Sequence, residues 1–164
     1  MFWQAFHVRS HNYKKEIIMG FMALSWTDDM SVGDDLVDRQ HREILSLIAR
    51  MSGCAKKPAA QDEAFPAMTA LLACLDEHFA EEERQMLDIR YAGADTHRRD
   101  HDAMARTLRT LRASVRTPAD LIRATITILP RWVASHQANL DRELCHHAAL
   151  RLGVMPHFHP ARRF

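Results

Sequence analysis

The sequence has few of the residues that interrupt helices or favour strands. Only five glycines and six prolines occur among 164 residues, and residues suited to β-strands are scarce. The apolar content is 47%, and the length suits one domain with a core of ordinary size. Composition alone therefore favours a single-domain, all-α protein.

An excess of charge of either sign is also lacking. Lysine and arginine number 22, aspartate and glutamate number 21, and the formal net charge is +1. No long-range field then attracts a nucleic acid or an anionic lipid surface. Neither partner is predicted.

The N-terminal region has no apolar run long enough to cross a membrane. The run 17–24 has eight residues, whereas a transmembrane helix needs about 20. We interpret residues 1–23 as a disordered extension, or as the result of an upstream start codon with true initiation at Met19 or Met22. A secretory signal is the alternative, since basic residues precede the run and the small residues Ala23 and Ser25 lie at its end.

Cysteine is too sparse for a disulfide framework. Cys54, Cys74 and Cys145 are an odd number at unrelated spacings, which fits neither paired disulfides nor a zinc site. The simpler setting is a reducing cytoplasm. Histidine, in contrast, occurs eleven times, which raises the chance of metal chemistry.

Four segments repeat apolar residues at helical spacing. The predicted helices run from Val37 to near Gly53, from about Asp62 to Leu87, from a side-chain cap at Asp95 or Thr96 to about Val115, and from Pro118, after a cap at Thr117, to near Gly153. Their short connections, the first over 53–58, favour an antiparallel up-and-down four-helix bundle spanning 24–150, with 151–164 as a C-terminal tail. Pro130 lies inside the fourth helix and predicts a kink there.

The most informative stretch is His78-Phe79-Ala80-Glu81-Glu82. Residues four apart share one face of a helix, and the face that carries His78 and Glu82 is otherwise apolar. An unpaired charge in a core costs several kcal/mol or is neutralised, so other groups must compensate this pair. Further histidines occupy the inner faces of the other helices: His41, His97, His101 and His136.

Any single histidine of this set has an ordinary explanation, because a core imidazole is commonly satisfied by a backbone carbonyl. The set as a whole is different. Five imidazoles and at least one carboxylate would meet in one bundle without a matching set of lysines or arginines.

The motifs that carry these residues resemble those of the hemerythrin family, specifically the single-domain bacterial hemerythrins. They are Asp38-Arg39-Gln40-His41, His78-Phe79-Ala80-Glu81-Glu82, His97-x-x-x-His101 and His136-x-x-x-x-Asp141. The resemblance covers roughly residues 24–150. All seven ligand positions of the family are occupied by the expected residue type, in order and at the expected spacings.

The resemblance implies a non-haem di-iron centre in the bundle. His97, His101 and His136 would hold one iron, His41 and His78 the other, and Glu82 and Asp141 would bridge the two ions together with an oxo or hydroxo group. Two six-coordinate irons offer twelve positions, of which these ligands fill all but one. The open position belongs to the iron with two histidines, where O₂ should bind.

The function expected from this resemblance is reversible O₂ binding for storage, transport or delivery. Oxygen-activating di-iron bundles use more carboxylates, whose charge favours high-valent iron, so a histidine-rich site favours binding over catalysis. Two alternatives stand beside it. One is an O₂ or redox sensor acting through an unidentified protein partner, and the other is an enzyme that reduces peroxide or nitric oxide at the same irons.

Two local features of the fourth helix need separate predictions. His136 and Asp141 are five residues apart, about 140° around an ideal helix, so both reach one site only with a local π-bulge or a strained side chain, and we predict the π-bulge. Gln137 stands where the family usually has an aliphatic residue. It either lines the pocket, where it would admit water or bond the bound ligand, or faces a neighbouring helix or solvent.

Overall fold

The computed structural model describes residues 25–56 and 58–153, which form helices and connecting turns without a β-strand. The α-helices are α1 (Asp35–Lys56), α2 (Ala64–Asp88), α3 (Ala94–Ser114), α4 (Pro118–His136) and α5 (Arg142–Leu152). A π-helical turn, Gln137–Asp141, joins α4 to α5, so these two form one long helix. Short 3-10 helices at Asp28–Met30 and Pro58–Glu63 precede α1 and α2.

The four long helices pack as a closed bundle. Helix α1 contacts α2 and α4, while α3 contacts α2 and α4. Each helix thus lies beside the next one in the chain, and the last lies beside the first. The predicted all-α, antiparallel up-and-down four-helix bundle is confirmed.

The apolar stripes of all four helices meet in one continuous core. Fully buried members from successive helices include Ile48, Leu75, Leu108 and Leu129. Removing such side chains from water supplies the main favourable term in folding, about 25 cal/mol for each Å² of apolar surface. Burial of these apolar faces therefore holds the amphipathic helices together as one bundle.

The predicted ends of the fourth helix are confirmed. The side chain of Thr117 accepts a hydrogen bond from the backbone N–H of Asp120 at 3.2 Å, with Pro118 at the first helical position. At the far end Gly153 adopts φ +66°, the left-handed conformation that terminates a helix cheaply only at glycine. Helix α4 continues past Pro130, and the kink there stays a prediction.

The predicted end of the first helix is wrong by three residues. Helix α1 continues past Gly53 to Lys56. A glycine inside a helix costs only about 0.5–1 kcal/mol, and Cys54 beyond it is 4% exposed and packs into the main core. Burial of that side chain offsets the weak helix propensity, so the first linker is shorter than 53–58.

The predicted side-chain caps of the third helix are also wrong. Helix α3 begins at Ala94, and Gly93 occupies the capping position without a side-chain hydrogen bond. The backbone N–H groups of Thr96 and His97 donate to the carbonyl of Gly93, each at 3.1 Å. A Cβ on Gly93 would lie 2.6 Å from the ring of Tyr91, so close packing of this turn decides where the helix starts.

The segment before α1 is fastened to the bundle. The Asp38 carboxylate accepts hydrogen bonds from Ser31 Oγ at 2.5 Å and from the backbone N–H of Val32 at 2.9 Å. These bonds hold the segment against the start of α1.

The same segment is also hydrogen-bonded to the π turn and to the start of α5. Gln137 donates to the backbone carbonyl of Met30, and Arg142 donates to that of Asp29, both at 2.7 Å. The 3-10 helix Asp28–Met30 therefore bridges α1 and the α4–α5 helix.

Within the ranges that the structure covers, no helix is both long enough and apolar enough to cross a membrane. The predicted extension 1–23 lies outside these ranges, as does most of the predicted tail, from residue 154 onward. The domain boundaries stay predictions. All three cysteines are free and buried.

Candidate metal centre

All seven side chains predicted as ligands lie together in the bundle core. None of them is more than 4% exposed. Every helix of the bundle contributes: His41 from α1, His78 and Glu82 from α2, His97 and His101 from α3, His136 from α4, and Asp141 from the π turn.

The seven side chains form two groups that share one carboxylate. In the larger group the ligand atoms lie within 4.8 Å of one another, and the same limit holds in the smaller group. The larger group is Glu82, His97, His101, His136 and Asp141, and the smaller is His41, His78 and Asp141.

The two oxygens of Asp141 face different groups. Oδ1 lies 3.0 Å from Nε2 of His97 and 2.9 Å from Nε2 of His136, while Oδ2 lies 3.0 Å from Nε2 of His41. One carboxylate therefore contacts both halves of the cluster.

Glu82 lies between the same halves, closer to the larger. Its Oε2 is 3.2 Å from Nε2 of both His97 and His101, and 3.8 Å from Nε2 of His78. Neither oxygen of this fully buried carboxylate has a hydrogen-bond partner of good geometry. Such a group is costly to bury, which indicates that its partner is something other than a protein donor.

The π turn places Asp141 in the cluster. Residues 137–141 follow the wider π-helical pattern, and both His136 and Asp141 are buried on the inside of the bundle. The predicted π-bulge between these two residues is confirmed. An ideal α-helix would have turned the carboxylate away from the other six side chains.

The outer nitrogen of His136 is held by a carboxylate that the sequence did not reveal. Asp100 Oδ2 accepts a hydrogen bond from Nδ1 of His136 at 2.6 Å and another from Nε1 of Trp132 at 2.8 Å. The indole also stacks on the imidazole, with ring centroids 4.4 Å apart. A carboxylate behind a histidine fixes its tautomer and makes it a better metal ligand.

Two further histidines have acceptors behind their rings. Nδ1 of His78 lies 3.3 Å from Oε1 of Gln40, and Nδ1 of His101 lies 3.4 Å from Oε1 of Glu83. These contacts place the proton on Nδ1 and leave Nε2 free to face the cluster. Sequence patterns did not identify Asp100, Gln40 or Glu83, because each contacts a histidine on a different helix.

The two buried carboxylates have opposite pKa shifts. Burial raises the pKa of Glu82 to about 7, and the charge of Asp141 adds to this shift. Burial also opposes ionisation of Asp141, but hydrogen bonds from His136, His41 and His97 outweigh it and hold the pKa of that carboxyl well below its usual range.

The histidines differ in the same way. Burial lowers the pKa of His78 to about 3 and that of His101 to about 2, with neighbouring imidazoles adding to both shifts. Burial also acts against a charged His97, but the adjacent carboxylates of Asp141 and Glu82 outweigh it and raise the pKa to about 9. In the absence of a metal ion, bound protons therefore offset the negative charge of the two carboxylates.

The donor set fits a bound cation. Nε2 of His136 lies 3.1 Å from Nε2 of His97 and 3.0 Å from Nε2 of His101, so lone-pair positions converge on the same volume as the unpaired oxygens of Glu82. In the part of the chain that the structure describes, the ion-pair partners of both carboxylates are histidines. Imidazole and carboxylate ligands together suit iron, manganese or zinc.

This combination of fold and core defines a metal-binding four-helix bundle, with ligands projecting inward from facing helices. The comparison with known families agrees. The Hemerythrin HHE cation binding domain matches residues 32–149, and the chain belongs to this family.

Individual relatives are similar over most of their length. The chain is 27% identical over 130 residues to a bacteriohemerythrin of Stenotrophomonas maltophilia (strain R551-3), a match that covers 75% of this chain and 83% of the relative. It is 29% identical over 116 residues to a myohemerythrin of Riftia pachyptila, which covers 71% and 86%. The resemblance inferred from the histidine motifs is confirmed.

Proposed function

We propose that this protein binds O₂ reversibly at a non-haem di-iron centre held by His41, His78, Glu82, His97, His101, His136 and Asp141. The observation that carries the proposal is the division of these side chains into groups of three and two histidines that share the Asp141 carboxylate. Two ions side by side need such a shared ligand, and Glu82 lies where it can serve as a second one.

Two ferrous ions in these positions would supply the electrons that bind O₂. The protein contributes unequal halves. The half around His97, His101 and His136 has three imidazoles, whereas the half around His41 and His78 has two. The half with fewer protein donors keeps a position for an exchangeable ligand, and O₂ would bind there.

The surroundings support binding of a small apolar ligand. The ring of Phe79 stacks on His101 with centroids 4.0 Å apart and meets Trp132 edge-on at 5.9 Å. These aromatic rings cover one side of the histidine cluster, whose side chains are at most 4% exposed. A site shielded in this way disfavours loss of the bound oxygen as a charged species, because the charge would have to leave through an apolar wall.

The test is optical. The metal-free protein is loaded with Fe(II) without oxygen, and two irons per chain are expected. Admitting air should produce a visible absorption band, and removing oxygen should abolish it. The variant Asp141→Asn should retain less than two irons per chain, whereas His147→Ala, which changes a histidine outside the cluster, should behave as the unmodified protein.

Irreversible oxidation on the first exposure to air would contradict reversible binding. It would leave the di-iron centre in place and favour the two other functions. Catalytic turnover of peroxide or nitric oxide by the loaded protein would then indicate an enzyme. Absence of turnover, with a partner protein bound in only one oxidation state, would indicate a sensor.

A further inference from the structure

The outer nitrogens of the cluster histidines do not all face the same kind of group. Those of His78, His101 and His136 face oxygen atoms that accept a hydrogen bond. The outer nitrogen of His41 faces Gln137, whose amide nitrogen lies 3.1 Å from Nδ1. His41 is therefore the histidine whose neighbour is a donor.

The orientation of the Gln137 amide does not depend on His41. Its Nε2 lies 2.7 Å from the backbone carbonyl oxygen of Met30, an atom that can only accept a hydrogen bond. Turning the amide over would set two oxygens against each other at that distance. Met30 thus fixes the nitrogen of Gln137 toward both itself and His41, in a side chain that is 3% exposed.

A donor behind Nδ1 requires that this nitrogen accept. The neutral His41 ring then carries its proton on Nε2, and this proton is donated to Asp141 Oδ2 at 3.0 Å. Nε2 is also the atom that points into the cluster. In this tautomer it has no lone pair to offer a metal ion.

We infer that Gln137 holds His41 in the tautomer that cannot bind metal, so the half of the centre formed by His41 and His78 takes its ion more weakly than the other half. Gln137 acts here as a positioning residue. The inference rests on the proposed function for the identity of the centre. Loading the weaker half requires Gln137 to release either His41 or Met30, which links this half to the 3-10 helix Asp28–Met30.

The first test uses metal-free protein labelled with ¹⁵N. Long-range ¹H–¹⁵N correlation spectra distinguish protonated from unprotonated ring nitrogens. His41 is expected to show a proton on Nε2, whereas His78 is expected to show it on Nδ1. A His41 ring protonated on Nδ1 in the unmodified protein would overturn the inference.

The second test changes the donor. In Gln137→Glu an acceptor oxygen can face His41, and in Gln137→Leu the donor is removed. Gln137→Glu should therefore move the His41 proton toward Nδ1. In Gln137→Leu the Asp141 carboxylate still accepts from Nε2 in the metal-free protein, but Nδ1 is free to take the proton when a metal ion binds Nε2. The matched control is Gln40→Glu, which keeps an oxygen behind His78 and should leave the His41 tautomer unchanged.

The third test measures metal affinity directly with Co²⁺ alone. The unmodified protein should bind two ions in separate steps, and both Gln137 variants should tighten the second step by about 10- to 100-fold, the usual range for changes behind a metal ligand. Equal affinity of the second step in all proteins would overturn the inference. Failure to bind any Co²⁺ or Fe(II) would instead refute the proposed centre, and the metal-free spectra would still decide the tautomer.

Discussion

Asp100 is the residue outside the seven predicted ligands with the shortest contact to the cluster. It accepts hydrogen bonds from both His136 and Trp132 through one oxygen. The Asp100 side chain is 40% exposed, whereas that of His136 is 2% exposed. A carboxylate at the protein surface thus lies directly behind the buried ring of His136. It therefore sets both the tautomer and the electron density of His136.

Asp100→Asn is predicted to weaken metal binding by about 10- to 100-fold, because the neutral amide polarises His136 less. The measurement is competition for Co²⁺ against a chelator of known affinity. Asp102→Asn serves as the control, since Asp102 lies on the same helix and only pairs with exposed Arg106 at 3.9 Å. Equal losses in the two variants would show that Asp100 has no specific role.

Metal uptake is predicted to release protons at neutral pH. The pKa of His97 is raised to about 9 in the metal-free protein, so its ring is protonated at pH 7, and Glu82, with a pKa of about 7, is partly protonated. A cation displaces these protons. Affinity should therefore fall as the pH is lowered.

Calorimetry in buffers of different ionisation enthalpy measures this release, and at least one proton per centre is expected. Binding heats that do not depend on the buffer would contradict it.

At the scale of the elements, the turn between α2 and α3 depends on close packing. Gly93 lies against the ring of Tyr91, and an added Cβ would come within 2.6 Å of it. Tyr91 is 8% exposed and packs with Met86 and Leu144. The ring thus has little room to move away.

Gly93→Ala is predicted to lower the free energy of unfolding by about 1–3 kcal/mol through overpacking. Gly53→Ala is the matched control. It lies inside α1 with no atom within 4 Å of its added Cβ, and should raise the free energy of unfolding by about 0.5–1 kcal/mol. Urea unfolding curves measure both, and a neutral Gly93→Ala would contradict the steric argument.

For the whole molecule, the cluster controls how the metal-free protein responds to pH. His78 and His101 have pKa values lowered to about 3 and 2 from 6.5. Below pH 6.5 the unfolded chain binds a proton at each of these two histidines, whereas the folded protein does not. The free energy of unfolding therefore decreases as the pH is lowered. Glu82 offsets one of these two protons between pH 4.5 and 7, because its raised pKa means that the folded protein binds a proton there and the unfolded chain does not.

On the alkaline side the sign reverses. His97 keeps a proton in the folded protein up to a pKa of about 9, whereas the unfolded chain loses it at 6.5. Its contribution is present below pH 6.5 and is lost as the pH rises toward 9. The metal-free protein is therefore predicted to be most stable near pH 6.5.

Urea midpoints in the presence of a chelator, at about pH 5, 6.5 and 8.5, test this prediction. His101→Leu should make the urea midpoint depend less on pH below 6.5, since one of the two histidines with a lowered pKa is removed. A midpoint that rises steadily from pH 5 to 8.5 would contradict the proposed balance of protons.

Much of this architecture was predictable because it depends on local spacing. Apolar repeats predicted four helices, and the histidines on their inner faces predicted which side chains would meet. The five-residue step from His136 to Asp141 predicted a π turn, since an α-helix cannot bring both to one place. Local conflicts of this kind are visible in the sequence alone.

The errors arose where packing overrode local preference. Helix α1 passes Gly53 because Cys54 beyond it is buried. Helix α3 has Gly93 rather than a polar residue at its capping position because the turn packs against Tyr91. Neither contact is encoded in the residues next to the helix end.

By itself the sequence determined the helices, the inner faces and six of the seven cluster side chains, because periodicity and spacing act within one helix, while the resemblance to the hemerythrin family added Asp141. Only the tertiary structure decided which group stands behind each histidine: Asp100 behind His136, Gln40 behind His78, and Gln137 behind His41. These partners belong to different helices. Their contacts depend on how the helices are rotated and shifted against one another, which no single helix specifies.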